Sequence, residues 1–377
     1  MQWQPGVDAF GWISKQMITF LDYTVYGTQF VYGFLAVPPA ICGMNPVLLF
    51  SVLQAILYFG SCVAVLYHFG IMQFVLMRFA WITQKTMTTT AAESLNAVAS
   101  IILGMTEAPI LIRPYLAKLT KSEVVAVLCG GFSTIAGSLF AAYVSLGVRA
   151  YYLFACPSYI LSASIMSAPA ALSSSKLFYP ETEESKTKRI EDLKLPKGLY
   201  KNVLEAISVG ATSVITIIFQ IGSNLIVFTA LLAFINAVFA WLGSMVGVEN
   251  FSFERLLSYI FFPIAFIMGV SLEADMQKRI DETMIVAELM GTKIALNEFI
   301  AYQRMSVYLL EKKLTARAQM MASFALCSFG NVGSIGIQLG GIGGMCPEQK
   351  PVLAEVAVRA LIASICANFM TTCWAGK

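Results

Sequence analysis

Residues 206–248 contain no charged side chain. That run is about twice the roughly 20 apolar residues needed to cross a bilayer, enough for one span and a shorter helix. Comparable charge-free tracts cover 46–67, 124–148, 151–175, 318–347 and 360–376. Of the 377 residues only 12% are charged and 58% are hydrophobic, with a mean hydropathy of +0.72. A soluble domain carries roughly a quarter charged residues. The sequence therefore predicts one all-α bundle that crosses a membrane repeatedly, in contact with lipid.

Several function classes fall away on the same evidence. A net charge of +3 without a basic, aromatic-interleaved patch gives no support for a nucleic-acid partner. Most of the eight cysteines sit inside apolar tracts with no C-x-x-C spacing, which reads as small buried hydrophobes. His68 is the only histidine, so a histidine-based metal site is not expected. There is no G-x-x-x-x-G-K-[ST], no H-E-x-x-H and no G-x-S-x-G, hence no sign of an enzyme, a cofactor or ATP drive. Transport by such a chain is then driven by an ion gradient or is passive. Residues 1–33 mix Trp3, Phe10, Trp12 and Phe20 with Asp8, Lys15 and Asp22, the pattern of an amphipathic helix lying on the bilayer surface.

Residues 91–113 are apolar enough to enter the membrane, yet Gly104, Glu107 and Pro109 interrupt them. A proline and a glycine around a carboxylate break a helix, and the pattern predicts a re-entrant hairpin. Irregular backbone at that depth survives only where it is buried in protein or lines a cavity. The segment 124–148 carries Gly130-Gly131-Phe132-Ser133-Thr134-Ile135-Ala136-Gly137-Ser138, small residues that permit close packing or local unwinding. If the helix unwinds there, Thr134 and the Ile135 carbonyl become candidate cation ligands. A polar stretch, 176–201, then divides the chain.

The second half repeats the pattern. Glu298 lies in another interrupted apolar segment, and Phe329-Gly330-Asn331-Val332-Gly333 follows it as Phe132-Ser133-Thr134-Ile135-Ala136 follows Glu107. Corresponding broken segments in two halves point to a transporter binding site. A carboxylate at membrane depth costs on the order of 2.5–3.5 kcal/mol, so Glu107 and Glu298 are expected to face a polar cavity or a partner. Ionised carboxylates accept several hydrogen bonds, which suits sugar hydroxyls. Asn331 and Ser334 are three apart and can share a helix face. Phe329 beside them could stack on a planar ring.

At these residues the sequence resembles the concentrative nucleoside transporter family. The carrying motifs are Gly104-Met105-Thr106-Glu107-Ala108-Pro109 with Arg113-Pro114-Tyr115, then Gly291, Lys293, Asn297-Glu298-Phe299 and Ala301, then Phe329 to Gly336. Ser167-Ala168-Pro169-Ala170 and Arg359-Ala360-Leu361-Ile362-Ala363 fit the animal-type members. The resemblance implies a multi-pass plasma-membrane protein with two inverted repeats, each with a re-entrant hairpin, and a scaffold beside a mobile transport domain. It implies a homotrimer importing nucleosides with a cation, proton or sodium, by an elevator movement.

By the same resemblance, Thr106 and Glu107 contact the base, while Glu298, Asn331 and Ser334 contact the ribose. Phe329 and Leu139 line the base. The side chains of Ser100 and Thr134, with the carbonyls of Leu103 and Ile135, hold the cation, which is Na+ if it is a metal ion. Members often have Gln where Met105 stands, which bears on base selectivity. Sodium-coupled relatives carry Asn where Ser100 stands and proton-coupled ones Ser, which tilts the expectation toward protons. Full-length relatives have further N-terminal helices before the point where this chain starts.

The expected division is an interfacial helix and scaffold helices in 1–88, and the first hairpin with transport helices in 89–180. A polar loop and long scaffold helix follow in 181–250, and the second hairpin with transport helices in 251–377. The rival readings are a channel or non-transporting receptor on the same scaffold, and a carrier of another polar metabolite.

Overall fold

The computed structural model describes residues 4–39, 47, 49–51, 53–137, 157–187, 193, 200–247 and 252–377, and every regular element among them is helical. Helices α1 (Gln4–Asp22) and α2 (Thr24–Tyr32) lead in, and α1 packs on α3 (Ala55–His68) and α8 (Pro157–Phe178). Helix α3 ends at Gly70, whose φ of +76° is the left-handed conformation that glycine adopts without cost. There the chain turns through 83° into α4 (Ile71–Met87). Helix α4 exposes Phe74, Phe79 and Trp81, and Lys85 lies over the Trp81 ring.

The expected first hairpin is present. Helix α5 (Ala91–Ala99) stops, residues 100–107 run as turns, and α6 (Ala108–Leu111) starts with Pro109 in its first turn, where the missing N–H costs nothing. Helix α7 (Lys121–Ser133) follows and also breaks, at Thr134, whose backbone is extended. Both α5 and α7 open with a capping box, Thr90 with Glu93 and Thr120 with Glu123. Buried Glu123 also accepts from Ser185 and Thr187, and Lys176 pairs with buried Glu93 at 2.8 Å. These contacts pin the polar stretch after α8 against the starts of both helices.

The apolar run 206–248 is a short helix, α9 (Val203–Ser213), and a long one, α10 (Ile215–Val246). Helix α9 approaches α3 so closely that a Cβ on Gly210 would lie 2.7 Å from Ala64 Cβ. Then come α11 (Phe253–Ile267), a second hairpin of α12 (Met276–Ala295) and α13 (Glu298–Leu310), and α14 (Ala316–Leu326) and α15 (Val332–Met345) separated by a break. Helix α16 (Lys350–Ala375) closes the chain. Among the described residues, the stretches 203–246 and 347–375 are long and apolar enough to span a membrane, and α3 with α4 passes as one bent span.

Among the described residues each half holds a helical hairpin, α5 with α6 and α12 with α13, followed by a helix that breaks, α7 at Thr134 and α14 before α15. In the second half, an ionic network fastens the hairpin to its neighbours. Arg304 of α13 pairs with Glu254 of α11 and, at 2.8 Å, with Glu288 of α12, while Asn236 of α10 donates to Glu254.

Candidate functional site

The hairpin breaks meet. Gly137 N–H donates to the Ile102 carbonyl at 2.9 Å, joining the first hairpin to the broken end of α7. Phe329 N–H lies 3.4 Å from the Thr134 carbonyl, joining the breaks of the two halves. Each break frees backbone groups that a continuous helix would have paired, and these two bonds take up some of them.

One cavity of about 130 Å³ opens beside this junction. Met105, Thr106, Glu107, Glu298, Phe329, Asn331 and Ser334 all line it. Residues from distant parts of the chain, selected on sequence, are brought to one wall. Leu139, the remaining candidate for that wall, lies outside the described residues.

Local structure explains each polar position. Glu298 is the first residue of α13, buried, with Asn297 capping the helix by accepting from Ile300 N–H at 2.9 Å. The positive end of the helix dipole favours a carboxylate there. Asn331 caps α15 through its Oδ1, which accepts from Ser334 N–H at 2.9 Å, and turns its Nδ2 to Glu298 Oε2 at 3.0 Å. One amide therefore fixes both the start of α15 and the orientation of the carboxylate. Glu107 Oε2 accepts from Gly104 N–H at 3.2 Å, which closes the tip of the first hairpin. Lys293, fully buried despite its charge, sits behind the site with Nζ donating to Ser328 at 2.5 Å, within electrostatic reach of Glu298.

Ser100 and Thr134 are buried at the ends of α5 and α7, close to Gly130. Ser100 Oγ donates to the Asn96 carbonyl at 2.8 Å, and Thr134 Oγ1 donates to the Gly130 carbonyl at 2.9 Å. Each hydroxyl spends its proton on its own helix and keeps lone pairs for a cation. The unwinding on which a cation role for Thr134 depends is present. Among the described residues, no group of three His, Cys, Asp or Glu could hold a metal ion. A cation here would be held by neutral oxygens, a donor set that suits a hard monovalent ion.

The cavity has a wall that the sequence reading missed. Gln220, Asn224 and Phe228 of α10 line it, as does Asn297. Gln220, Asn224 and Phe228 are four apart, on one helix face. The signal was available, because Gln220 and Asn224 are the polar amides that interrupt the first half of an otherwise apolar α10.

A family model described as "Na+ dependent nucleoside transporter C-terminus" matches residues 159–376, and one described as "Nucleoside recognition" matches 49–149. A solved structure of the transporter CNTnw, in an inward-facing substrate-bound state, superposes with a TM-score of 0.89 at 33% identity, covering 99% of this chain and 85% of that one. The chain belongs to the concentrative nucleoside transporter family.

A CNTnw variant in an outward-facing state is equally similar, with a TM-score of 0.89 and 34% identity over 99% of this chain and 85% of that one. Among curated relatives, sodium/nucleoside cotransporter 2 of Mus musculus is 43% identical over 99% of this chain, and sodium/nucleoside cotransporter 1 of Homo sapiens is also 43% identical over 99%. The chain spans 55% and 56% of those two relatives. The family is one of transporters and not of enzymes. The fold is that of a polytopic, all-helical membrane protein with a scaffold and a transport domain.

Proposed function

We propose that this chain binds a nucleoside in the cavity between its hairpins and imports it as a symporter coupled to a cation gradient. The observation that carries this reading is the convergence of Glu107 and Glu298, from opposed hairpins, on one cavity with Asn331, Thr106, Ser334 and Phe329. Glu298, Asn331 and Ser334 offer an acceptor and donors for the ribose hydroxyls. Thr106 and Glu107 face the polar edge of the base, and Phe329 and Met105 supply apolar contact for its ring. Glu298 already accepts from Asn331, so a hydroxyl entering there joins an existing network and leaves no buried group unpaired.

The cation binds at Ser100 and Thr134 with the carbonyls of Leu103 and Ile135, and orders the tip of the first hairpin. The coupling ion in this reading is sodium. Ser100 alone points toward protons, but Asn96 lies one turn earlier on α5, fully buried, and among the described residues its Oδ1 has no hydrogen-bond partner. That oxygen restores the amide that sodium-coupled relatives carry at position 100. The hairpin regions 89–180 and 251–377 form the moving body, and 1–88 with 181–250 the frame. The loaded body crosses by an elevator movement within a homotrimer in the plasma membrane.

The test is uptake of labelled uridine and adenosine into proteoliposomes, under a sodium gradient and a proton gradient imposed separately. Saturable uptake with exchange of labelled for unlabelled substrate, driven by sodium alone, is expected. Non-saturable flux would indicate a channel and overturn the carrier reading. Uptake driven by protons alone would overturn the sodium assignment and leave the carrier reading standing.

A further inference from the structure

Gln338 lies on α15 one turn beyond Ser334; Asn331 and Ser334 line the cavity, and Gln338 is buried outside its lining. It is fully buried, and among the described residues its Oε1 has no hydrogen-bond partner. Its Nε2 reaches only the Leu128 carbonyl, at 3.4 Å. A buried amide oxygen left unpaired is costly unless something supplies a donor.

The surroundings say where that donor would come from. Gln338 Nε2 is 2.1 Å, and Met105 Cβ 3.1 Å, from the point that a Cβ on Gly131 would occupy. The missing side chain at Gly131 is therefore what lets the amide sit beside Met105. One turn further along α15, Gly341 presses on Thr106, with Cγ2 3.1 Å from its own absent Cβ. This stretch of α15 thus backs the tip of the first hairpin, where Met105 and Thr106 line the cavity. Met105 stands where many members of the family carry Gln, and a thioether is flexible enough to move aside.

We infer that Gln338 is a specificity-determining residue that reads the nucleobase: its amide oxygen accepts from an N–H on the base, past Met105. The inference rests on the nucleoside reading above and adds a residue to it. In this arrangement one base-reading amide is delivered from α15, beside Thr106 and Glu107 of the hairpin.

The experiment compares wild-type protein with Gln338→Met in proteoliposomes. It reads the KM for uridine and the inhibition constant of a ribonucleoside whose base is an aromatic ring without hydrogen-bonding groups. Loss of one hydrogen bond predicts a rise of about tenfold in the uridine KM, with the apolar-base ribonucleoside unaffected. A second variant, Met105→Gln with Gln338→Met, returns an amide to the site and is expected to recover part of the uridine affinity. A uridine KM within about twofold of wild type, on the scale of that same bond, would overturn the assignment. Equal loss for both ligands would also overturn it, because it would mark a packing role. Failure of the wild-type protein to take up uridine would instead overturn the nucleoside reading, and this assignment with it.

Discussion

Helix α10 and the α5 hairpin occupy one molecule under opposite rules. Helix α10 leaves Phe219 62%, Ile226 73%, Phe234 66% and Trp241 59% exposed, and only 6% of the most apolar window in the 203–246 stretch is covered by protein. Helix α5 buries all of its residues, Glu93, Ser94 and Asn96 among them, with Ser100 next to its end. In water this distribution would be ruinous, since exposed apolar area costs about 25 cal/mol per Å². In a bilayer it is what the solvent demands. Lipid accepts bare Phe and Ile, whereas a polar group must find its partner inside the protein. The comparison teaches that polarity in this chain marks the interior, and that the polar interior is where a ligand would bind.

Four substitutions would break or sharpen that contrast. The largest expected effect is at Glu298, where Glu298→Ala removes the carboxylate that orients Asn331. Uridine uptake at equal membrane abundance should fall at least about a hundredfold, or about 2.7 kcal/mol; undiminished uptake would sink the ribose assignment. Next comes Phe234→Lys, on the exposed face of α10. A lysine near the middle of a span costs about 2.5–3.5 kcal/mol on insertion scales, so the fraction of chain recovered from membranes should drop. Normal recovery would mean that this face does not meet lipid.

A smaller loss is expected at Gly291→Ala. The new methyl would lie 2.6 Å from Leu257 Cβ and 3.1 Å from Phe261 Cδ2, and overpacking of this kind costs about 1–3 kcal/mol. Thermal unfolding in detergent should show it as a lower midpoint. The smallest effect is at Ile226→Leu, a volume-conserving change on the exposed side of α10. It should shift stability by less than about 0.5 kcal/mol and leave uptake unchanged. A loss there comparable with Gly291→Ala would mean that Ile226 is a protein contact, as the expected homotrimer would require if its interface covered this face.

The sequence by itself determined much of this protein. Tracts without charge dictated a membrane bundle, because an unpaired charge in lipid is too costly to leave unplaced. Glu107 beside Gly104 and Pro109 dictated the first hairpin, and the recurrence of Glu298 before Phe329-Gly330-Asn331 dictated a second, since a broken helix is tolerated at depth only around a cavity. These are local rules, readable along the chain. The tertiary structure alone decided what crosses between elements. Gln220 and Asn224, two amides in a mostly apolar helix, join the site only because α10 turns them to the cavity. In the sequence Lys293 is one residue of a motif; only the fold shows it fully buried with its Nζ donating to Ser328. Gln338 had no meaning before its buried amide was seen packed over Gly131 near Met105. Hydrogen bonding and close packing act over a few ångströms in space, and sequence distance carries no information about which buried groups will meet there.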